Sequence, residues 1–388
     1  MNRKKEIVEF IRSLYPKQDN IPLHVPVFLG NEKKYLNDCI DTTFVSYVGK
    51  YVARFEEMVV TYLKVKHAVA MVNGTTALQI ALQLAGVQRE DEVLTQALTF
   101  VATANAIIHA GGQPVFIDSD LTHLGMDPEK LDDFLRKHAK QKSNGEMINK
   151  ITGKRIAVCV PVHIFGHPAM IEDIVEICKT WQLPVVEDAA ESIGSTYKGK
   201  HMGTFGIMGV LSFNGNKIIT AGGGGMIVTN DPELAHRAKH ITTTAKVPHP
   251  WEFYHNEVGY NYRLTNVNAA IGCAQMEQIN DFIASKRELA RHYAAFFKDI
   301  GMPYFTEQPV CRSNYWLNTI ILNNRKERDE LLKYTNENGV MTRPAWTLLN
   351  KLPMYNKCLT TNLDNAQWLE DRLVNVPSSI IRKNRKRR

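Results

Sequence analysis

The chain has 388 residues, of which 44% are hydrophobic and 22% are charged. Both fractions are ordinary for globular proteins, so they exclude collagen-like, low-complexity and intrinsically disordered classes. No apolar run reaches the roughly 18 residues that a transmembrane helix requires, and the first residues lack the apolar block of a secretory signal. The sequence therefore predicts a cytoplasmic protein of two or three domains without a membrane partner.

The net charge of +7 is concentrated at one end, because six of the last seven residues, 382–388, are Lys or Arg. The rest of the chain is close to neutral. A basic face on a folded domain would indicate nucleic-acid binding, whereas a basic run at a terminus is typical of a solvated end. We therefore predict a basic tail at 382–388 and no nucleic-acid partner.

The first 65 residues contain charged, helix-like segments. From residue 68 onward, short apolar segments alternate with helical patterns. This alternation favours an α/β domain whose mostly parallel sheet is covered by helices on both faces. The seven candidate strands are 68–72, 91–95, 114–118, 155–160, 183–188, 209–213 and 226–229.

The later segments predict a second, smaller unit. The polar stretch 136–152 indicates a surface excursion without strands, and Asp231 with Pro232 predicts the start of a helix. Residues 265–297 have the pattern of one long helix. A strand-like segment at 316–322 and a charged helix from 325 then indicate a smaller α+β domain.

The first motif that suggests chemistry is residues 73–77, Asn-Gly-Thr-Thr-Ala, which follow a candidate strand and open a helix. Free N–H groups and the helix dipole make such a start an anion site. Gly74 allows an anion to approach the backbone, and Thr75 adds a hydroxyl. Taken alone, an ordinary helix cap explains the motif equally well.

The second motif is Asp188, at the carboxyl end of the apolar segment 184–188. Ligands of doubly wound sheets bind at this edge, and a carboxylate there can hold a proton on a heterocyclic nitrogen. An acid that caps the next loop is an equally good explanation of this residue alone.

The third motif is Lys217, which stands between an apolar strand and the glycine run 222–225. A partly buried lysine has a lowered pKa and can act as a nucleophilic amine that forms a Schiff base. By itself, the motif would also suit a surface loop. An anion site, an aspartate and a lysine in this order are, however, the set that pyridoxal phosphate requires.

In these motifs, the chain resembles the DegT/StrS family of nucleotide-sugar aminotransferases, pyridoxal-phosphate enzymes of fold type I. The resemblance extends from about residue 21 to 377 and rests on 55–57, 73–77, 99–105, 187–190, 212–217 and 259–272. It implies a large α/β domain with a mostly parallel seven-stranded sheet at 41–262 and a smaller α+β domain at 263–388. An N-terminal helical segment, 1–40, would pack with the small domain.

The resemblance also implies the cofactor site. Lys217 would form the Schiff base and move the proton to the sugar carbon, with pyridoxamine phosphate as the intermediate form of the cofactor. Asp188 would pair with the pyridine nitrogen, and Phe100 would stack on the ring unless it is a plain core aromatic. Glu191 stands where many members have Gln or His, and it would repel the phenolic oxygen unless protonated or turned away. The phosphate would be bound by Gly74, Thr75 and Ser212.

Other residues are implied to serve a partner subunit or the substrate. Asn261 would reach the phosphate of the neighbouring subunit, which predicts a homodimer with shared active sites. His163 matches a family segment that lines the site, although a buried structural histidine fits equally well. Arg343 and Trp346 would contact substrate, unless they belong to the surface of the small domain.

Three segments, 21–33, 96–100 and 341–346, are similar to the subgroup that makes 4-amino precursors of legionaminic acid and bacillosamine-type sugars. This similarity implies a UDP- or GDP-linked 4-keto-6-deoxy-N-acetylhexosamine as substrate and L-glutamate as amino donor. The alternatives are a C3-aminating transaminase and a pyridoxamine-phosphate dehydratase, and Lys217 argues against the latter. A DNA-binding role of the basic tail lacks an accompanying helix-turn-helix segment. The sequence has no CxxC or HExxH spacing for a metal.

Overall fold

The computed structural model describes residues 3–381, so the predicted basic tail at 382–388 lies outside the described residues. Two short 3-10 helices occur at Ile164–Gly166 and Leu349–Lys351. The α-helices are α1 (Arg3–Leu14), α2 (Glu32–Asp41), α3 (Lys50–Leu63), α4 (Gly74–Leu84), α5 (Ala102–His109), α6 (Pro128–His138), α7 (Ile171–Thr180), α8 (Pro232–Thr242), α9 (Asn266–Met276), α10 (Ile279–Asp299), α11 (Arg325–Glu337) and α12 (Asp364–Glu370). The strands are β1 (His67–Met71), β2 (Glu92–Gln96), β3 (Gln113–Ile117), β4 (Ala139–Gln141), β5 (Met147–Asn149), β6 (Ile156–Val160), β7 (Val186–Asp188), β8 (Thr196–Tyr197), β9 (Lys200–His201), β10 (Met208–Ser212), β11 (Gly225–Thr229), β12 (Cys311–Arg312), β13 (Asn318–Ile321), β14 (Arg343–Pro344) and β15 (Leu373–Val376).

Seven strands form the central sheet in the order β1-β11-β10-β7-β6-β2-β3. Parallel bridges from Cys159 to Val185 and from Val162 to Asp188 connect its two halves. β11 is antiparallel to both of its neighbours, and the other pairs are parallel. The prediction of a mostly parallel seven-stranded sheet is therefore confirmed.

Helices cover both faces of this sheet because successive side chains of a strand point to opposite sides. In β2, Val93 packs in the cluster that contains Leu78 of α4, whereas Leu94 packs in the cluster that contains Leu131 of α6. Most residues of these strands are consequently buried, as expected for a doubly covered sheet.

The C-terminal part is the smaller α+β unit that the sequence predicted, with a sheet in the order β13-β15-β14 and helices α10 and α11. Ile7 and Ile11 of α1 pack beside Leu289 and Tyr293 of α10. The helix α2 instead contacts α9, where Asn266 Nδ2 donates to Cys39 Sγ over 3.3 Å. The domain boundaries at 40 and 262 remain a prediction.

Two segments differ from the sequence prediction. The stretch 136–152 contains the hairpin β4–β5. Its polar residue Asn149 is buried and donates to Glu92 Oε2 over 2.7 Å, which attaches the hairpin to β2. The predicted long helix is two helices, α9 and α10, since Gln278 adopts a non-helical ψ of 1°. The helix predicted at Asp231 is confirmed, and the Asp231 carboxylate accepts the Glu233 N–H over 2.8 Å. Within residues 3–381, no helix is long and apolar enough to cross a membrane.

Candidate active site

The three sequence motifs meet in one cavity of about 940 Å³. Strands β1, β7 and β10 run in the same direction, so Gly74, Asp188 and Ser212 lie at the same edge of the sheet. This is the edge where doubly wound sheets bind ligands. The opposite wall comes from the N-terminal segment and the small domain, through Pro22, Leu23, His24, Met341, Arg343 and Trp346.

The start of α4 forms the anion site. The Asn73 side chain caps the helix and accepts the Thr76 N–H over 2.8 Å, which leaves the first N–H groups facing the cavity edge. A Cβ on Gly74 would lie 3.1 Å from the Cβ of Ser212, so glycine keeps the helix start close to β10. Backbone donors and the helix dipole here favour a phosphate or carboxylate.

Asp188 ends β7 and is only 7% exposed. Its carboxylate accepts from Thr103 Oγ1 over 2.8 Å and from the Ala190 N–H over 3.2 Å. Burial raises the pKa of Asp188 despite these bonds. Within residues 3–381 Asp188 forms no salt bridge, so a protonated ring nitrogen in the cavity would stabilise its charge.

Lys217 follows β10, and its side chain is 12% exposed. Its Nζ lies 3.3 Å from Glu191 Oε1 and 4.0 Å from the centroid of the Trp316 ring. The indole also holds the loop, because Trp316 Nε1 donates to the carbonyl of Asn216 over 2.6 Å. The amine is therefore positioned by an acid from the large domain and an aromatic ring that precedes β13.

Glu191 does not turn away from the site. Its second oxygen, Oε2, accepts the Phe165 N–H over 2.8 Å, and Phe165 adopts a left-handed φ of 57° in that position. Burial raises the pKa of Glu191. Glu191 is thus a buried acid paired with Lys217.

Aromatic rings close the cavity above these groups. Phe100 is 51% exposed and lines the cavity, with its ring centroid 6.4 Å from that of Trp346. Trp346 stacks on Phe165 at 4.8 Å. Arg343 is exposed at the rim. Phe100, Arg343 and Trp346 therefore lie around the same space as Lys217, while Asn261 is exposed and is not among the lining residues.

The family model of DegT/DnrJ/EryC1/StrS aminotransferases matches residues 29–381. The chain belongs to this family. A GDP-perosamine synthase of Escherichia coli O157:H7 is 38% identical over 358 residues, which are 92% of this chain and 93% of that protein. A GDP-perosamine synthase of Vibrio cholerae is 36% identical over 361 residues, 92% of this chain and 94% of the relative. The crystal structure of the aminotransferase TlmJ from Streptoalloteichus hindustanus matches with a TM-score of 0.83 at 26% identity and covers 92% of this chain and 93% of that chain.

Aminotransferases of this family use pyridoxal phosphate, and the cavity fits that cofactor. The cavity offers an anion site at Gly74, where a Cβ would crowd Ser212. It also offers the buried carboxylate of Asp188, which has no salt-bridge partner in the described chain, and the amine of Lys217. These are the three kinds of group that the phosphate, the ring nitrogen and the aldehyde need. The chain is therefore a pyridoxal-phosphate-dependent aminotransferase.

The prediction that His163 contacts substrate is wrong in this structure. Its side chain is fully buried and is not among the cavity-lining residues. Nδ1 accepts the Ala169 N–H and Nε2 lies beside Glu187 Oε2, each over 3.1 Å. Both ring nitrogens are occupied, so in this aminotransferase His163 orients Glu187. That carboxylate in turn accepts the N–H groups of Gly203, Phe205 and Gly206.

Three residues of the site were not singled out from the sequence. Thr103 lies in segment 99–105, and its hydroxyl bonds to Asp188. Trp316 opens the strand-like segment 316–322, and His24 lies in segment 21–33. Each of these residues is a polar or aromatic side chain, which is a signal that the sequence offers. The sequence does not show, however, that these side chains point into the cavity, because their direction depends on tertiary packing.

Proposed function

We propose that this aminotransferase moves the amino group of L-glutamate to C4 of a nucleotide-linked 4-keto-6-deoxyhexose. The proposal rests on one observation: Lys217, Asp188 and the start of α4 line the same large cavity. The relatives named GDP-perosamine synthases support a nucleotide sugar and amination at C4.

Bound pyridoxal phosphate supplies an aldehyde that exchanges amino groups and a ring that withdraws electrons. Lys217 would hold the aldehyde carbon and would move the proton to and from the reacting carbon. Asp188 would keep a proton on the ring nitrogen, and Glu191 holds the lysine amine in place. Phe100 would cover the ring, and Gly74, Thr75 and Ser212 would bind the phosphate.

For the sugar, we propose an N-acetylated 4-keto-6-deoxyhexose of the legionaminic acid or bacillosamine type. This assignment rests on segments 21–33, 96–100 and 341–346. Arg343 and Trp346 lie at the cavity rim and would contact the nucleotide sugar. UDP is the nucleotide that the subgroup resemblance favours, and the names of the relatives make GDP the second candidate.

The assay that decides this function is a product analysis. Purified holoenzyme is incubated with L-glutamate and a panel of UDP-, GDP- and dTDP-linked 4-keto and 3-keto sugars, and each product is identified by NMR. We expect an amine at C4 and an equal amount of 2-oxoglutarate. Lys217→Ala should lose at least about 1000-fold in rate, whereas the exposed-lysine control Lys179→Ala should not. Amination at C3, or none at all, would contradict the proposal.

We also propose a homodimer with shared active sites, through Asn261. The segment before it exposes large apolar side chains: Trp251 (76%), Phe253 (81%), Tyr254 (62%) and Val258 (89%). Such a group of exposed side chains is typical of a protein interface. If Asn261 serves the neighbouring site, mixed Asn261→Ala and Lys217→Ala subunits should recover activity, since one hybrid site is intact. No recovery in confirmed hybrids would argue against sharing.

A further inference from the structure

Residues 21–25 cross the wall of the cavity as an extended segment fixed by the small domain. Ile21 N donates to Gly339 O over 2.8 Å, and Met341 N donates to Ile21 O over 2.9 Å. Ser378 N donates to Leu23 O over 2.7 Å. These bonds on both sides of His24 determine where its side chain lies, and that side chain lines the cavity together with Lys217.

The imidazole of His24 has no hydrogen-bond partner among residues 3–381, although both ring nitrogens are buried. The carbonyl of Asn216 lies close to the ring, but it accepts the Trp316 Nε1–H and does not meet hydrogen-bond geometry with His24. An unsatisfied buried polar group destabilises the folded protein. A ligand that enters the cavity and bonds to the ring would remove this cost.

The surroundings of His24 indicate what kind of ligand group fits. Burial, and then the amines of Lys286 and Lys217, lower the pKa of His24 well below its usual value. The ring is therefore neutral and offers one donor and one acceptor. A hydroxyl group has the same pair of functions, whereas a carboxylate or diphosphate only accepts and would leave the acceptor nitrogen of the ring unpaired.

We propose that His24 binds a hydroxyl group of the hexose ring and thereby selects the sugar substrate. The inference rests on the proposed function, because it assumes a nucleotide-linked keto-sugar in the cavity. It assigns His24 to the half-reaction that consumes the sugar. The half-reaction with L-glutamate should proceed without it, because a carboxylate cannot pair with both nitrogens of a neutral imidazole.

The test measures the two half-reactions of the holoenzyme separately, by the change of the visible spectrum with L-glutamate alone and then with the keto-sugar alone. His24→Phe removes the donor and the acceptor but keeps a planar ring. We expect kcat/KM for the keto-sugar to fall roughly 10- to 100-fold, as for the loss of one or two hydrogen bonds to substrate. The glutamate half-reaction and the Kd for pyridoxal phosphate should change less than about twofold, since neither uses the ring.

Two further variants keep the result interpretable. His24→Asn retains a donor and an acceptor and should recover part of the sugar half-reaction. His236→Phe, at an exposed histidine, should change nothing. Equal losses in both half-reactions, a loss with glutamate alone, or no loss at all in His24→Phe would each overturn the inference. If the wild type aminates no keto-sugar, the proposed function itself is wrong. If the wild type is active and His24→Phe is equally active, only the inference about His24 is wrong.

Discussion

The two sides of the cavity differ in how their polar groups are satisfied. On the cofactor side, defined by Asp188, Glu191 and Lys217, every charged group has a partner within the protein. On the substrate side, defined by residues 22–24 and 341–346, His24 and Arg343 have no side-chain hydrogen bond within the described chain. The cofactor side is thus organised before any ligand binds, whereas the polar groups of the substrate side are available to the ligand.

This difference has a kinetic consequence. A transaminase uses its cofactor groups in both half-reactions, but the contacts to the sugar matter in only one of them. Substitutions on the cofactor side should therefore affect both half-reactions, and substitutions on the substrate side should affect the sugar half-reaction alone. The following predictions test that separation.

The largest effect is expected for Asp188→Asn. An asparagine cannot keep the ring nitrogen protonated, so both half-reactions should slow by at least about 100-fold. Thr103→Val, which removes the 2.8 Å hydrogen bond to Asp188 and the 3.3 Å contact with the Thr99 hydroxyl, should slow both by roughly 10-fold. Single-turnover spectra with L-glutamate and with keto-sugar measure the two rates. A loss confined to the sugar half-reaction would show that Asp188 does not serve both half-reactions. Asp133→Asn on an exposed face is the control.

A smaller effect on both half-reactions is expected for Trp316→Phe. The phenyl ring remains beside the Lys217 amine, but the 2.6 Å bond to Asn216 is lost, at a cost of about 1 kcal/mol. Both rates should fall about fivefold. Trp368→Phe, at a tryptophan away from the cavity, should leave the rates unchanged. If Trp316→Phe alters only the sugar rate, Trp316 belongs to the substrate side instead.

The buried acid of the cofactor side, Glu191, should make the free energy of unfolding depend on pH. Burial raises the pKa of Glu191, so the folded protein keeps this proton at pH values where the unfolded chain has lost it. The free energy of unfolding then decreases as pH rises from the ordinary glutamate range to the raised pKa. In cofactor-free Glu191→Gln this decrease should be smaller than in the wild type.

Urea unfolding at several pH values measures this difference. The same substitution at the exposed residue Glu9 should leave the pH dependence as in the wild type. An equal decrease in wild type and Glu191→Gln would show that Glu191 titrates normally in the folded protein.

The smallest effect is expected for deletion of residues 382–388. The proposed site lies wholly within residues 3–381, and a basic run at a terminus is typical of a solvated end. Both half-reactions and the melting temperature should remain within experimental error. Lost turnover in a truncated protein that still folds would assign the tail to the substrate side.

The two sides also differ in how far the sequence predicts them. Asp188 and Lys217 stand next to apolar strands, and the edge of a parallel sheet brings such strand ends together, so local patterns were sufficient. His24 and Trp316 reach the cavity through packing of distant segments, which no local pattern describes. For His163 the sequence left a site residue and a buried structural histidine open, and the structure favours the second, because Glu187 of β7 occupies the ring. The seven strands were predictable from their apolar runs, whereas the break at Gln278 was not, since the helical pattern continues through it.

The visible spectrum of the purified protein reports directly on the cofactor side in both half-reactions. With pyridoxal phosphate the wild type should be yellow, lose the band when L-glutamate is added, and regain it when the nucleotide-linked 4-keto-sugar follows. This sequence of changes would show one organised cofactor side that serves both half-reactions. A wild type that takes up no cofactor, or a yellow protein that L-glutamate does not change, would contradict the account.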